Sequence, residues 1–183
     1  MARVLLVNPS YLRTYGSNQA GIANPVYPIL SLACLAGIAK ADGHQAKIVD
    51  FSYRAYDPES LKQTILDFQP DVLGITATTP LVNQLKDISM LAKSISAGIL
   101  TIGGGSHPSS LPVATMQESA LDMGVFGEGD LTFREILAGM PAARINGVVW
   151  RDDDRIVQNS PRTPIPNLDD LPMPAWELYP IDE

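Results

Sequence analysis

The chain has one cysteine, Cys34, and two histidines, His44 and His107, in 183 residues. A single thiol closes no disulfide within the chain and builds no cysteine-based metal site, so a secreted disulfide scaffold is excluded and a reducing cytoplasm is expected. Basic residues are also scarce: 13 Lys and Arg against 20 Asp and Glu give a formal charge of −7. Lys and Arg form no run anywhere, so nucleic acid and anionic membrane surfaces are not expected partners. Long hydrophobic runs are missing too. The apolar start, MARVLLVNPS, stops at Asn8-Pro9 and is too short for a signal segment or a membrane span. Hydrophobic residues still make up 45% of the chain, enough for the core of one ordinary domain.

What is present alternates regularly. Apolar runs of strand length at Val4 to Val7, Lys47 to Val49, Val72 to Ile75, Ile99 to Ile102 and Leu121 to Phe126 are separated by helical patterns, the rhythm of a parallel sheet. Ile29 to Ala41 is apolar on nearly all sides and ends before Gly43, which predicts a buried helix. Asp57-Pro58 supplies an N-cap and first-turn pair ahead of Leu61, Ile65 and Phe68, which share one helical face. Leu81, Leu85, Ile88, Ala92 and Ile95 repeat that stripe after Pro80. The predicted fold class is α/β: a doubly wound, flavodoxin- or Rossmann-like five-stranded parallel sheet of order 2-1-3-4-5 over residues 1–140. Residues 141–160 hold INGVVWRDDDRIVQ, two apolar stretches around Asp152-Asp153-Asp154, read as a β-hairpin extension. Residues 161–183 read as an extended Pro-rich arm, because six of the fifteen prolines fall within residues 160–183 and disfavour helix and central strand. Leu168, Leu171, Trp176 and Leu178 are too apolar for a free linker. The arm is therefore expected to pack on a surface partly supplied by another domain, with residues beyond about Pro172 mobile in this chain or held by a neighbouring molecule.

In an open parallel sheet, ligands gather at the carboxyl ends of the strands. Five segments stand there: Asn8-Pro9-Ser10, Asp50 to Arg54, Thr76-Ala77-Thr78-Thr79, Gly103-Gly104-Gly105-Ser106-His107, and Gly127-Glu128-Gly129-Asp130. Three consecutive glycines exceed what one tight turn requires, and backbone without Cβ atoms takes positive φ and admits a bulky ligand. A turn remains the alternative. A phosphate loop fits poorly, since the Gly-Lys-Ser/Thr of a P-loop is absent and this run follows the fourth strand, not the first. Asn8 stands where a phosphoacceptor domain would want clustered carboxylates for a cation. His107 has three readings: axial metal ligand, hydrogen-bond donor to a ligand amide, or cap before Pro108. Donation is preferred, because no second His, Cys or paired carboxylate stands at a metal spacing beside it. His44 enters strand two at the end opposite the expected ligand. The Thr76 to Thr79 segment offers hydroxyls and amides, with Thr79 equally suited to cap a helix before Pro80. Glu128 and Asp130 suit the dipole of a helix beginning there, and for Asp130 that reading is preferred.

In their order, VLLVNP, GHQAKIVD, PDVLGIT, IGGGSHPSS, GVFGEGD and IPNLDDLPMPAW resemble the N-terminal cobalamin-binding domain of B12-dependent radical S-adenosylmethionine enzymes, the family that includes the anaerobic cyclase of bacteriochlorophyll synthesis. The resemblance spans almost the whole chain. It implies that Gly103, Gly104, Gly105, Ser106 and His107 line the path of the cofactor's nucleotide tail, and that Thr76, Ala77, Thr78 and Thr79 contact it from strand three. Asn8, Pro9 and Ser10, with Gly127, Glu128 and Gly129, complete the implied cofactor-binding set, without a catalytic residue or a metal ligand. Two departures qualify the pattern. The DxHxxG signature that carries a histidine to cobalt is missing, which implies cobalamin bound with its base off and no protein histidine in its place. The CxxxCxxC cluster motif is also missing, so S-adenosylmethionine and a 4Fe-4S cluster would belong to a C-terminal radical domain of a parent chain. An excised domain or truncated product is the expectation. Two other functions stay open: the same fold without cofactor as a docking or substrate-gating module, and a nucleotide-sugar-binding α/β enzyme, which would need a phosphate site.

Overall fold

A computed structural model describes residues 1–15, 28–52 and 56–179. Tyr53 and Arg54 of the segment after the second strand, and Pro180 of the arm, lie outside these residues. The first strand, β1 (Arg3–Asn8), leads into the short α1 (Tyr11–Tyr15). Next come α2 (Leu30–Ala41), β2 (Gln45–Asp50), α3 (Pro58–Phe68) and β3 (Val72–Thr76). A 3-10 turn at Thr79–Leu81 opens α4 (Val82–Ile95), which leads to β4 (Leu100–Gly104). The second half holds α5 (Ser106–Ser110), α6 (Pro112–Gln117), β5 (Met123–Val125) and α7 (Asp130–Leu137), then β6 (Val148–Asp152) and β7 (Arg155–Gln158).

The strand order is β2-β1-β3-β4-β5-β6-β7, with the first five strands parallel. The expected order of the five parallel strands is therefore present, but the sheet has seven strands, not five. The correction has a physical cause. Strand β5 is three residues long and would leave an open edge, and the hairpin β6–β7 covers it, pairing antiparallel with Gly124 opposite Val149. Asp153 takes the positive φ (51°) of the hairpin turn.

Period-two alternation sorts the side chains into two cores. Leu5 and Val7 of β1 face α3 and α4, where Leu61, Ile65, Leu85 and Ile88 pack. Val4 and Leu6 face α2 and α7, where Leu32, Ala36, Phe133 and Ile136 pack. Asp57 caps α3 as its pattern predicts, accepting the Glu59 N–H at 3.1 Å. His44 accepts the Ala2 N–H through Nδ1 at 3.0 Å, tying the β1 and β2 entrances together far from the carboxyl edge. No helix among the described residues is long and apolar enough to cross a membrane.

The arm differs from its expectation. Residues 173–179 dock on this domain's own α2, leaving Ala175 3% and Tyr179 5% exposed. The Ala175 N–H donates to the Ala33 carbonyl at 2.9 Å, and the Tyr179 hydroxyl donates to the Ile29 carbonyl at 3.1 Å. Glu177 pairs with Lys40. Small residues on α2 make this approach feasible: a Cβ on Gly37 would lie 2.3 Å from the Met173 carbonyl oxygen. The all-round apolarity of α2 thus has two causes, with the sheet and α7 on one side and the arm on another.

Candidate functional site

The sheet face toward α2 and α7 loses its side chains near the carboxyl edge. On β1, β3, β4 and β5 the inward positions run Leu6, Gly74, Ile102 and Met123 in one row; beyond them come Thr76 beside Gly104, with Val125 and Gly127 following. Gly104 and Gly127 leave open space there, with nothing within 4 Å of a Cβ at either, and a cavity of about 500 Å³ lies between this edge, α2 and α7. Its sheet side is Leu6, Gly74, Thr76, Ile102, Gly104 and Val125, its loop side Gly105, Gly127 and Gly129. From α2 come Leu30, Ser31, Cys34 and Leu35, and from α7 Asp130 and Phe133. The walls are overwhelmingly apolar, and the volume falls within the roughly 300–1,000 Å³ of small-molecule sites.

The three consecutive glycines do three different jobs. Gly103 points away from the cavity, where a Cβ would meet Leu121 Cδ1 at 2.5 Å, so it serves packing on the opposite face. Gly104 faces the cavity, with nothing within 4 Å of a Cβ. Gly105 carries the positive φ (104°), and a Cβ there would lie 2.7 Å from the Ala77 carbonyl oxygen. The strained turn and the open approach therefore belong to adjacent residues.

Of the residues implied by the sequence, Thr76, Gly104, Gly105, Gly127 and Gly129 come together around the cavity, and the others do not line it. Asn8 is buried beneath the carboxyl edge, donating to Asp50 Oδ1 at 2.8 Å and Ser52 Oγ at 2.7 Å. Pro9 and Ser10 are buried, and Gln84 latches the Ser10 backbone, accepting from its N–H (3.1 Å) and donating to its carbonyl (2.6 Å). Ala77 donates its N–H to the Gly104 carbonyl and accepts the His107 N–H. Thr78 Oγ1 meets the Tyr11 hydroxyl at 2.6 Å. His107 is 9% exposed and places Nδ1 3.2 Å from Thr79 Oγ1, fastening the β4–α5 turn to the segment after β3. Ser106 is exposed at the start of α5. Glu128 accepts the Ile165 N–H at 2.8 Å, holding the start of the arm. Among the described residues no three His, Cys, Asp or Glu side chains cluster as a metal site.

Sequence reasoning missed the helical half of the cavity. Leu30, Ser31, Cys34 and Leu35 were hidden in a pattern that read as uniformly buried, although Leu30 is 56% exposed. Asp130, expected to serve only the helix dipole, lies on the cavity wall. Burial pushes its carboxyl above the ordinary value against the bond to its own backbone, with the Glu128 charge adding to the rise. The Cys34 thiol is raised as well, mainly by burial and further by the Asp130 charge. In both groups partial burial is the main cause of the rise.

Comparison with known proteins gives a consistent result. The family model described as B12 binding domain matches residues 22–137. An uncharacterized methyltransferase of Pyrococcus horikoshii is 32% identical over 161 residues, covering 85% of this chain and 35% of that protein. The anaerobic magnesium-protoporphyrin IX monomethyl ester cyclase of Rubrivivax gelatinosus is 28% identical over 191 residues, covering 97% of this chain and 34% of the cyclase. Among solved structures, the cobalamin-dependent S-adenosylmethionine radical enzyme OxsB with aqua-cobalamin bound superposes with a TM-score of 0.78 at 19% identity, over 97% of this chain and 24% of that one. The chain thus spans about a third of the length of the curated relatives it matches.

Proposed function

The chain belongs to the B12-binding domain family, and on that premise we propose that it holds cobalamin, with the nucleotide tail in the cavity between α2 and α7 and the corrin above the carboxyl edge of the sheet. The observation that carries this reading is the open space above Gly104 and Gly127 at the carboxyl edge of the sheet. An apolar slot of this volume suits an aromatic base, and Thr76 with the backbone at Gly104, Gly105 and Gly127 offers polar groups beside it. Asn8, Pro9, Ser10, Ala77, Thr78, Thr79, Gly103, Ser106, His107, Glu128 and Gly129 set the surrounding loops and complete the binding edge. Neutral amides on the corrin rim require no basic patch, in keeping with the acidic chain.

When bound, cobalamin supplies organometallic chemistry at cobalt, and the protein binds and orients it. No histidine occurs between Met1 and Gly43, and His107, whose Nδ1 lies 3.2 Å from Thr79 Oγ1, does not line the cavity. We therefore assign base-off binding without a protein histidine below cobalt. In a longer chain this domain would present the cofactor to a radical domain, for methyl transfer or radical cyclisation. S-adenosylmethionine and a 4Fe-4S cluster would be held there, in a cytoplasmic protein. Residues 1–140 would be the binding unit, 141–160 its hairpin extension and 161–183 the approach to that domain.

Titration of the chain with aquacobalamin, followed by absorbance, tests the reading. Retention at micromolar affinity or better is expected, with a spectrum lacking nitrogen coordination below cobalt and unchanged in His107→Ala. A nitrogen-coordinated spectrum that disappears in His107→Ala would overturn the base-off assignment. Failure to retain cobalamin would overturn the whole reading in favour of a cofactor-free docking module.

A further inference from the structure

The cavity has one feature that an apolar slot does not require. Among its described lining residues the only carboxyl is that of Asp130, and no Lys, Arg or His joins it. Arg134, one turn along α7, is turned away to Asp42 at 2.8 Å. On the α2 wall stands Cys34, a weak donor whose thiol is pushed up by burial. Ser31 is exposed at the edge, and Thr76 belongs to the opposite, sheet side. A half-buried acid in apolar walls without a counter-charge is costly as a carboxylate, and a ligand that shares a proton with it relieves that cost.

We propose that Asp130 is the specificity-determining residue of this cavity, reading the lower base of the corrinoid through a hydrogen bond to its free ring nitrogen. The proposal rests on the cobalamin reading above. With the base off cobalt, a benzimidazole carries one ring nitrogen that is an acceptor when neutral and a donor when protonated. A carboxyl with a raised proton affinity complements both states: the acid donates to the neutral ring, and the carboxylate accepts from the protonated one. One proton is shared in either case. A lower base without such a nitrogen, as in a phenolic cobamide, leaves the carboxyl unmatched in the same apolar walls.

The experiment is a pair of equilibrium-dialysis titrations of the 183-residue chain, one with cobalamin and one with para-cresolyl cobamide, which has a phenol in place of the benzimidazole. Measured against Asp130→Leu, the wild-type chain is expected to shift the ratio of the two affinities toward cobalamin by roughly tenfold, the scale of one hydrogen bond to a buried group. Asp130→Asn, whose amide still donates, should keep most of that shift, with thermal melts confirming that both variants fold. A ratio of affinities unchanged between the wild-type chain and folded Asp130→Leu would overturn the proposal and leave cobalamin binding standing. Retention of neither corrinoid by the wild-type chain would overturn the cobalamin reading and this inference with it.

Discussion

At the residue scale, adjacent glycines separate stability from binding. Gly104 lacks positive φ and has open space above it, so Gly104→Val should change unfolding free energy by less than about 1 kcal/mol while lowering cobalamin affinity at least roughly tenfold. Gly105→Val should do the opposite. Its φ of 104° and the 2.7 Å approach to Ala77 impose strain of about 2 kcal/mol or more on folding. Urea unfolding beside cobalamin titration checks both, and equal losses in the two variants would contradict the division. Asp130 gives a pH prediction. Its carboxyl is raised in the folded state, chiefly by burial, so the folded chain binds that proton more tightly than the unfolded one. Stability contributed by the neutral acid is present below the ordinary carboxylate value and is lost as pH rises through the folded value. Asp130→Asn should therefore raise the melting temperature near neutral pH and leave it unchanged in acid. The glycine run was legible in the sequence as unusual, but the division of labour within it was not, because φ and facing direction depend on the partners across β3 and β5.

At the scale of elements, α2 links the cavity to the arm. One side supplies Leu30, Cys34 and Leu35 to the cavity, and another carries Met173 to Tyr179 on Ala33, Gly37 and Ile29. Gly37→Ala tests this docking cleanly. Alanine is the better helix former by about 1 kcal/mol, yet its Cβ would collide with the Met173 backbone. The native arm should resist limited proteolysis near Trp176, and Gly37→Ala should make it sensitive while the sheet domain stays intact. Equal resistance in both would show that the arm is held by other contacts. The arm's proline content and apolar residues were readable, and they correctly excluded regular helix and central strand. Its resting place was not readable, because the groove is made by Ala33 and Gly37, more than a hundred positions earlier. The hairpin was similarly visible as a local pattern, whereas its pairing with β5 depends on the unprotected edge of a three-residue strand.

At the scale of the whole molecule, the chain has an apolar cavity at the carboxyl edge of its sheet and one cysteine. One thiol cannot provide the three thiolates of a radical S-adenosylmethionine cluster. With S-adenosylmethionine and a strong reductant the 183-residue chain should yield no 5′-deoxyadenosine above background, measured by chromatography; stoichiometric cleavage would refute this. The sequence by itself determined the run of five parallel strands with α2, α3, α4 and α7 between and after them, the cap of α3, and, through the order of its short motifs, the family resemblance. The strands, helices and cap are written in periodicity and punctuation within short windows, where apolar burial acts residue by residue. Only the tertiary structure decided which glycine opens space, that Asn8, Ser10 and His107 fasten loops, that α2 and α7 supply half of the cavity, and that the arm folds back on α2. A cavity is a deficit of side chains shared by elements distant in the chain, and no local pattern records what stands opposite a missing Cβ.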